Sequence, residues 1–378
     1  MSSLGEAKGP LVERGLARGL GFDWWLLASS LILLTIGVMS LYSIDYDSAN
    51  SRTFLRHMQR LAVGVIPFAF FFFLNLKALV RYANAIYVLN LILLLLVLLI
   101  GSSAGGAQRW INLGPIDFQP SEMAKLFTII TLSAFLANNW DRIRSARVWF
   151  LSLLHVLVPL LLIFKQPHLG ASLVMLAIWL GISLVAGVPA KLLLATVLGA
   201  AGILSLAFLV PGVLRDYQKE RVMAMFGGDE RNNRYQTSRA EIAIGVGSLT
   251  GVGYLKGEHK RAGYVPAQHT DFIFTVIGEE GGLVGSTLLL CAFGLFFYRI
   301  WLLMIRATEP FHRLLVAGVF SMLAFHMTVN LGMNLELLPV VGLWLPFMSY
   351  GGTAIWLCLA CVGLLLNIST RERPVLFS

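Results

Sequence analysis

Residues 83–101 read ANAIYVLNLILLLLVLLIG, nineteen positions without one charged side chain. A bilayer's hydrocarbon core is about 30 Å thick, and a helix needs about 20 apolar residues to cross it. This stretch is long enough to span. Windows of the same kind recur on either side of it, at 24–44, 59–76, 121–137, 148–164, 169–187, 192–210, 271–298, 314–333 and 349–368. Of the 378 residues, 57% are hydrophobic and 13% charged, where soluble domains carry about 25% charge. Mean hydropathy is +0.76. These values exclude a cytosolic enzyme, a disordered chain and a nucleic-acid-binding domain. The net charge of +9 then reflects membrane topology rather than a polyanionic partner. The expected fold is an all-α integral membrane protein, one polytopic domain over 1–378 with ten transmembrane helices.

Ten spans place both termini on one side. Lys and Arg in short loops mark the cytoplasmic face. An N-in, C-in arrangement gathers Lys8, Arg14, Arg18, Lys77, Arg81, Arg142, Arg144, Arg147, Lys191, Arg299, Arg306, Arg313, Arg371 and Arg373 there, against Arg52, Arg56, Arg60, Arg109 and Lys165 outside. The first window has a long apolar core and no small-x-small cleavage site, so it reads as a membrane helix rather than a leader. Cys358 and Cys361 lie in an apolar run with no second pair near them and read as packing residues. No internal repeat stands out, which argues against an inverted-repeat transporter. Two long outward segments remain, 102–120 and 211–270. Polar chemistry belongs there, because lipid does not tolerate irregular backbone.

Ionisable groups at membrane depth cost about 2.5–3.5 kcal/mol each and are functional candidates by default. In Gln119-Pro120-Ser121-Glu122-Met123-Ala124-Lys125, Pro120 and Ser121 mark a helix start, and Glu122 and Lys125 share one face. Such a pair either only lowers its own insertion cost or supports a site. In Val265-Pro266-Ala267-Gln268-His269-Thr270-Asp271-Phe272-Ile273-Phe274, Asp271 sits where the outward loop meets an apolar helix. Two readings stand. Thr270 or Asp271 is the helix N-cap, or Asp271 is a partly desolvated carboxylate with a raised pKa, suited to general-base work. Glu279 and Glu280 lie about 12–13 Å further along the helix and read as structural.

The 211–270 loop mixes Arg221, Lys256, Lys260 and Arg261 with acidic residues and carries glycines at 245, 247, 251, 253 and 257. It is either an ordinary solvated loop or a cavity rim whose basic groups and backbone N–H groups take a diphosphate. Leu345-Pro346-Phe347-Met348-Ser349-Tyr350-Gly351-Gly352-Thr353 reads as a re-entrant turn opening the last helix, its small residues permitting close packing. His155 and His326 are isolated in apolar spans and read as packing or hydrogen-bonding residues. No His/Cys cluster has zinc spacing.

Together these stretches resemble the SEDS family (shape, elongation, division, sporulation) of bacterial cell-wall glycosyltransferases. Arg109-Trp110-Ile111 with Leu113-Gly114, and Phe118 to Glu122 with Ala124-Lys125-Leu126, carry one motif. Gln166-Pro167 with Leu169-Gly170 carry a second, and His269 to Phe274 with Gly278-Glu279-Glu280 a third. Asn330-Leu331-Gly332-Met333, Leu337 to Val340, Leu345-Pro346 and Ser349 to Gly352 carry the fourth. The resemblance covers all ten windows in order.

The resemblance implies a polymerase of lipid II, the undecaprenyl-pyrophosphate-linked disaccharide-pentapeptide. Its product is a β-1,4 glycan strand, with undecaprenyl pyrophosphate released by a single inverting displacement. Asp271 matches the family's essential carboxylate, and Glu122 with Lys125 a pair tied to an activating arrangement of the cavity. The implied partner is a class B penicillin-binding protein, a transpeptidase, and the implied place is the bacterial cytoplasmic membrane with the active site outside. Short tails favour the branch of the family that serves the elongation machinery and rod shape over the division branch. A pyrophosphate leaving beside Asp271 needs countercharge. That is expected from Arg109, Arg221, Lys256, Lys260 and Arg261 with His269, helped by Mg²⁺ or Mn²⁺ ligated in part by Asp271. The chain departs from the family pattern at His168, Glu241, Val252, Asn334 and Glu336. A lipid II flippase, and a scaffold that only recruits the transpeptidase, are the competing readings.

Overall fold

The computed structural model describes residues 21–46, 52–104, 107–113, 116–166, 168–209 and 230–372. Arg221, with the rest of 210–229, lies outside the described residues. Each expected window coincides with a long helix. These are α1 (Trp24–Asp45), α2 (Thr53–Phe73), α4 (Ala83–Ile100), α5 (Pro120–Asn138), α6 (Ala146–Lys165), α7 (Leu169–Ala186), α8 (Ala190–Leu209), α11 (Phe274–Arg306), α12 (Pro310–Asn334) and α13 (Gly352–Arg371). Short helices α3 (Leu76–Arg81), α9 (Glu230–Val246) and α10 (Glu258–Arg261), and strands β1 (Ser102–Ala104), β2 (Ala107–Leu113) and β3 (Ile116–Phe118), complete the described chain. Seven of the long helices are apolar enough, as described, to cross a membrane. α2 and α5 fall below that level because they carry Arg56, His57 and Arg60, and Glu122 and Lys125. The protein is a mostly helical, multi-pass membrane protein.

α13 is buried along its spanning length and packs along α2. Lipid supplies no hydrophobic drive between helices, so close backbone approach does the work. A Cβ at Gly363 would stand 2.3 Å from the Phe68 carbonyl oxygen, and one at Gly64 2.5 Å from Leu359 Cδ1. At the end of the bundle that holds residue 24, Arg299 grips Asp23 at 2.9 Å, and His312 meets Glu372 at 2.8 Å. The far end carries the β-sheet and α9, and here called the loop end. The sheet is antiparallel, β1-β2-β3, with Ile111 opposite Phe118.

α11 begins at Phe274, three residues after the expected start, and runs for 33 residues. It is broken at Gly282, where φ is 59° and ψ is −154°. A break inside a membrane helix exposes carbonyls above it and N–H groups below it, and these must be satisfied by protein. Residues 247–253 do so. Val252 N donates to the Glu279 carbonyl at 3.0 Å and Gly253 N to Glu280 at 3.1 Å. From below, Leu283 N donates to the Ser248 carbonyl at 2.9 Å and Val284 N to Leu249 at 3.0 Å. Contact this close needs glycine. A Cβ at Gly247 would lie 1.9 Å from the Gly278 oxygen, and one at Gly251, where φ is +79°, 2.0 Å from the Glu280 oxygen. Gly247 and Gly251 are therefore backbone-packing positions, which corrects their reading as an anion cradle. Gly257 instead lies against a side chain: its Cβ would meet Glu279 Oε2 at 2.8 Å.

Candidate active site

Asp271 lies at the loop end, in a turn just before α11. The N-cap reading fails: the N-cap residue is Ile273, and no side chain caps this terminus. The peptide groups around Asp271 are held instead. Tyr350 N donates to the His269 carbonyl at 2.8 Å, and Ser349 Oγ to the Thr270 carbonyl at 2.6 Å. The Asp271 carbonyl accepts from Asn330 Nδ2 at 2.8 Å and Asn334 Nδ2 at 3.1 Å. Phe272 is buried with Ala240, Ala243 and Val265 in a small core beneath α9. The carboxylate faces Gly342, where φ is +69° and a Cβ would stand 3.6 Å from Oδ2. Burial pushes the Asp271 carboxyl up to about 6, while the Thr270 hydroxyl and the Arg109 charge pull against that rise. The tertiary fold thus brings Arg109, on β2, within electrostatic reach of Asp271. Arg109 Nε also donates to the Gln166 carbonyl at 3.1 Å.

Glu122 and Lys125 pair at 2.7 Å in the first turns of α5, and both are buried. Pro120 opens that helix, where a missing N–H costs nothing, and Glu122 faces the positive end of the helix dipole. Lys125 Nζ also lies 3.1 Å from His326 Nε2, and His326 Nδ1 lies 2.9 Å from the Met322 carbonyl. A carbonyl only accepts, so Nδ1 carries the proton and Nε2 accepts from the ammonium. Trp344 Nε1 donates to Glu122 Oε2 at 3.0 Å, and its ring lies against His326, tilted by 32°, with centroids 4.0 Å apart. Every polar atom of the pair therefore has an assigned role. Sequence reasoning missed Trp344, Ser349, Asn330 and Asn334. The last two stand four apart in an apolar helix, and that spacing was the available signal.

The family model described as "Cell cycle protein", FTSW_RODA_SPOVE, matches residues 23–374. The chain belongs to the SEDS (FtsW/RodA/SpoVE) family. It is similar to the peptidoglycan glycosyltransferase MrdB of Escherichia coli K12, 34% identical over 347 residues covering 91% of this chain and 93% of that protein. The probable peptidoglycan glycosyltransferase FtsW of Thiomicrospira cyclica is 32% identical over 369 residues, covering 94% and 93%. Among solved structures, a chain from a study of polymerization and crosslinking by a peptidoglycan synthase complex aligns with a TM-score of 0.78. It is 32% identical, and the match covers 94% of this chain and 99% of that one. The rod shape determining protein RodA of Thermus thermophilus aligns at 0.69 and 31% identity, covering 93% and 98%.

Within this SEDS fold the expected basic residues divide. Lys260 is buried and bonded to Glu280 and Ser43, so it is not a free diphosphate ligand; its expected role is corrected to structural. Its charge neutralises Glu280 beside the break in α11. Glu279 accepts from the backbone N of His259 at 2.7 Å and of Lys260 at 3.3 Å, fastening α10 to α11. Lys256, just before α10, and Arg261, its last residue, are exposed, and an Arg261 Nη donates to the Leu255 carbonyl at 2.8 Å. His269 is exposed and lies edge-on to Tyr350, with centroids 5.6 Å apart. Of the departures, His168 Nδ1 lies 3.3 Å from Ser121 Oγ, and Glu336 accepts from Thr237 Oγ1 of α9 at 2.5 Å. Glu241 and Val252 are exposed. Among the described residues no three His, Cys, Asp or Glu side chains converge as a metal cage. Mg²⁺ commonly binds through one or two carboxylates plus substrate phosphates, and one carboxylate is what Asp271 offers.

Proposed function

We propose that this SEDS peptidoglycan glycosyltransferase polymerises lipid II, with Asp271 as the general base. The observation that carries the reading is a carboxylate at the loop end with its backbone held on three successive carbonyls and its pKa raised to about 6 by burial. A base near 6 is ionised at neutral pH, yet closer in basicity to a hydroxyl than an ordinary carboxylate. It takes the proton from the acceptor sugar's 4-hydroxyl as that oxygen attacks the donor's anomeric carbon. The bond to undecaprenyl pyrophosphate breaks, and configuration inverts. Arg109 supplies countercharge to the departing diphosphate. A divalent cation carried by that diphosphate, with Asp271 as one oxygen ligand, would add to it; chelation then slows polymerisation.

On this reading the loop end faces outward across the cytoplasmic membrane, with both termini in the cytoplasm, and a class B penicillin-binding protein crosslinks the product. A RodA-like role with the elongation machinery is the first reading, supported by similarity to MrdB and to a solved RodA. A division role is the second reading, because relatives named FtsW and MrdB are comparably similar. Restoration of rod shape or of septation in strains depleted of one or the other separates the two. The test of the chemistry is purified protein with lipid II, assayed for glycan strands and for lipid II transport across vesicles. Asp271→Asn should lose at least about 10²-fold in polymerisation. Normal strands from a folded Asp271→Asn protein would overturn the base assignment. Transport without polymer by the wild type would favour a flippase.

A further inference from the structure

We infer that Asn334 is a positioning residue of this enzyme, acting through the Asp271 backbone; the inference rests on the reading of Asp271 as the base. Asn334 ends α12 and is fully buried. Burying an amide costs free energy unless its donors are satisfied. Asn334 Nδ2 has two destinations: the Asp271 carbonyl at 3.1 Å, and Asn330 one turn earlier, at 2.8 Å to its carbonyl and 3.3 Å to Oδ1. Asn330 Nδ2 holds the same Asp271 carbonyl at 2.8 Å and the Leu343 carbonyl at 2.7 Å. The Asp271 oxygen therefore accepts two amide donors, one for each lone pair.

Fixing that oxygen fixes the peptide plane beside the Asp271 Cα, and with it the direction in which the carboxylate leaves the backbone. With Asn330 alone the plane has one tether and can tilt about it; Asn334 removes that freedom. Small misplacement of a base is costly, because proton transfer needs the reacting atoms aligned within a few tenths of an ångström.

The experiment uses the full-length protein in detergent with lipid II, comparing wild type with Asn334→Leu, which keeps the volume, and Asn334→Ala, which cannot overpack. Both should lower kcat about tenfold through misplacement of the base, with KM within twofold and the protein still folded at the assay temperature. Unchanged kcat in both variants, or a loss residing in KM or in the folded fraction, would overturn the inference. Asp271→Asn, run in parallel, tests the reading beneath it. If that variant retains wild-type kcat, the base assignment fails on its own arm, whatever the Asn334 variants do.

Discussion

Replacing Lys125 by Met keeps the length of the side chain and removes its charge. Lys125 is fully buried, 2.7 Å from Glu122 Oε1 and 3.1 Å from His326 Nε2. The substitution leaves Glu122 buried with only the Trp344 N–H at 3.0 Å. Stranding one member of a buried pair costs about 3–5 kcal/mol. Exchanging both members removes the stranded charge. Glu122→Gln with Lys125→Met keeps an acceptor for Trp344 and should therefore cost only about 1–2 kcal/mol. The expected coupling between the positions is at least about 2–3 kcal/mol, and larger by whatever Glu122→Gln costs alone. A double-mutant cycle on the unfolding of the detergent-purified protein reads that number, with lipid II polymerisation followed on the same samples. Additive losses would refute the pair as an energetic unit. A Lys125→Met protein that unfolds with the wild type would refute the cost assigned to the buried carboxylate.

The Asp271 carboxyl near 6 should set the acid limb of kcat/KM, which falls about tenfold per unit below that pH and is flat above 7. Because the folded pKa lies above the unfolded 3.8, the folded state binds the proton more tightly, and stability is lost as pH rises through about 6. Asp271→Asn should therefore unfold at a higher temperature than wild type at pH 8, with the gap closing by pH 4; a gap that widens on acidification contradicts the shift. Gly251→Ala, with its Cβ 2.0 Å from a carbonyl oxygen, should prevent accumulation of folded protein. Gly245→Ala meets nothing within 4 Å in α9 and should stabilise by about 0.5–1 kcal/mol, as thermal unfolding of both would report. Lys260→Ala should destabilise by about 3–5 kcal/mol by stranding Glu280. Arg109→Ala should instead lower kcat/KM for lipid II more than it lowers the unfolding midpoint; the reverse pattern would exchange their roles.

Membrane helices are legible in sequence because every backbone polar group must be satisfied within its own segment. Apolar length alone is then enough, and all ten windows became helices. Glu122 and Lys125 were legible as a pair for a similarly local reason, since three residues along a helix puts them on one face. What links distant segments was not legible. Asp271 read equally well as a helix cap, and only the clamp built by Asn330, Asn334, Ser349 and Tyr350 separates the two readings. Lys260 and Arg261 are adjacent basic residues in the same loop. The fold buries one against Glu280 and leaves the other exposed, because the break at Gly282 draws residues 247–260 against α11. That break is set by tertiary packing: a helix gives up its own hydrogen bonds in lipid only where another segment is placed to replace them.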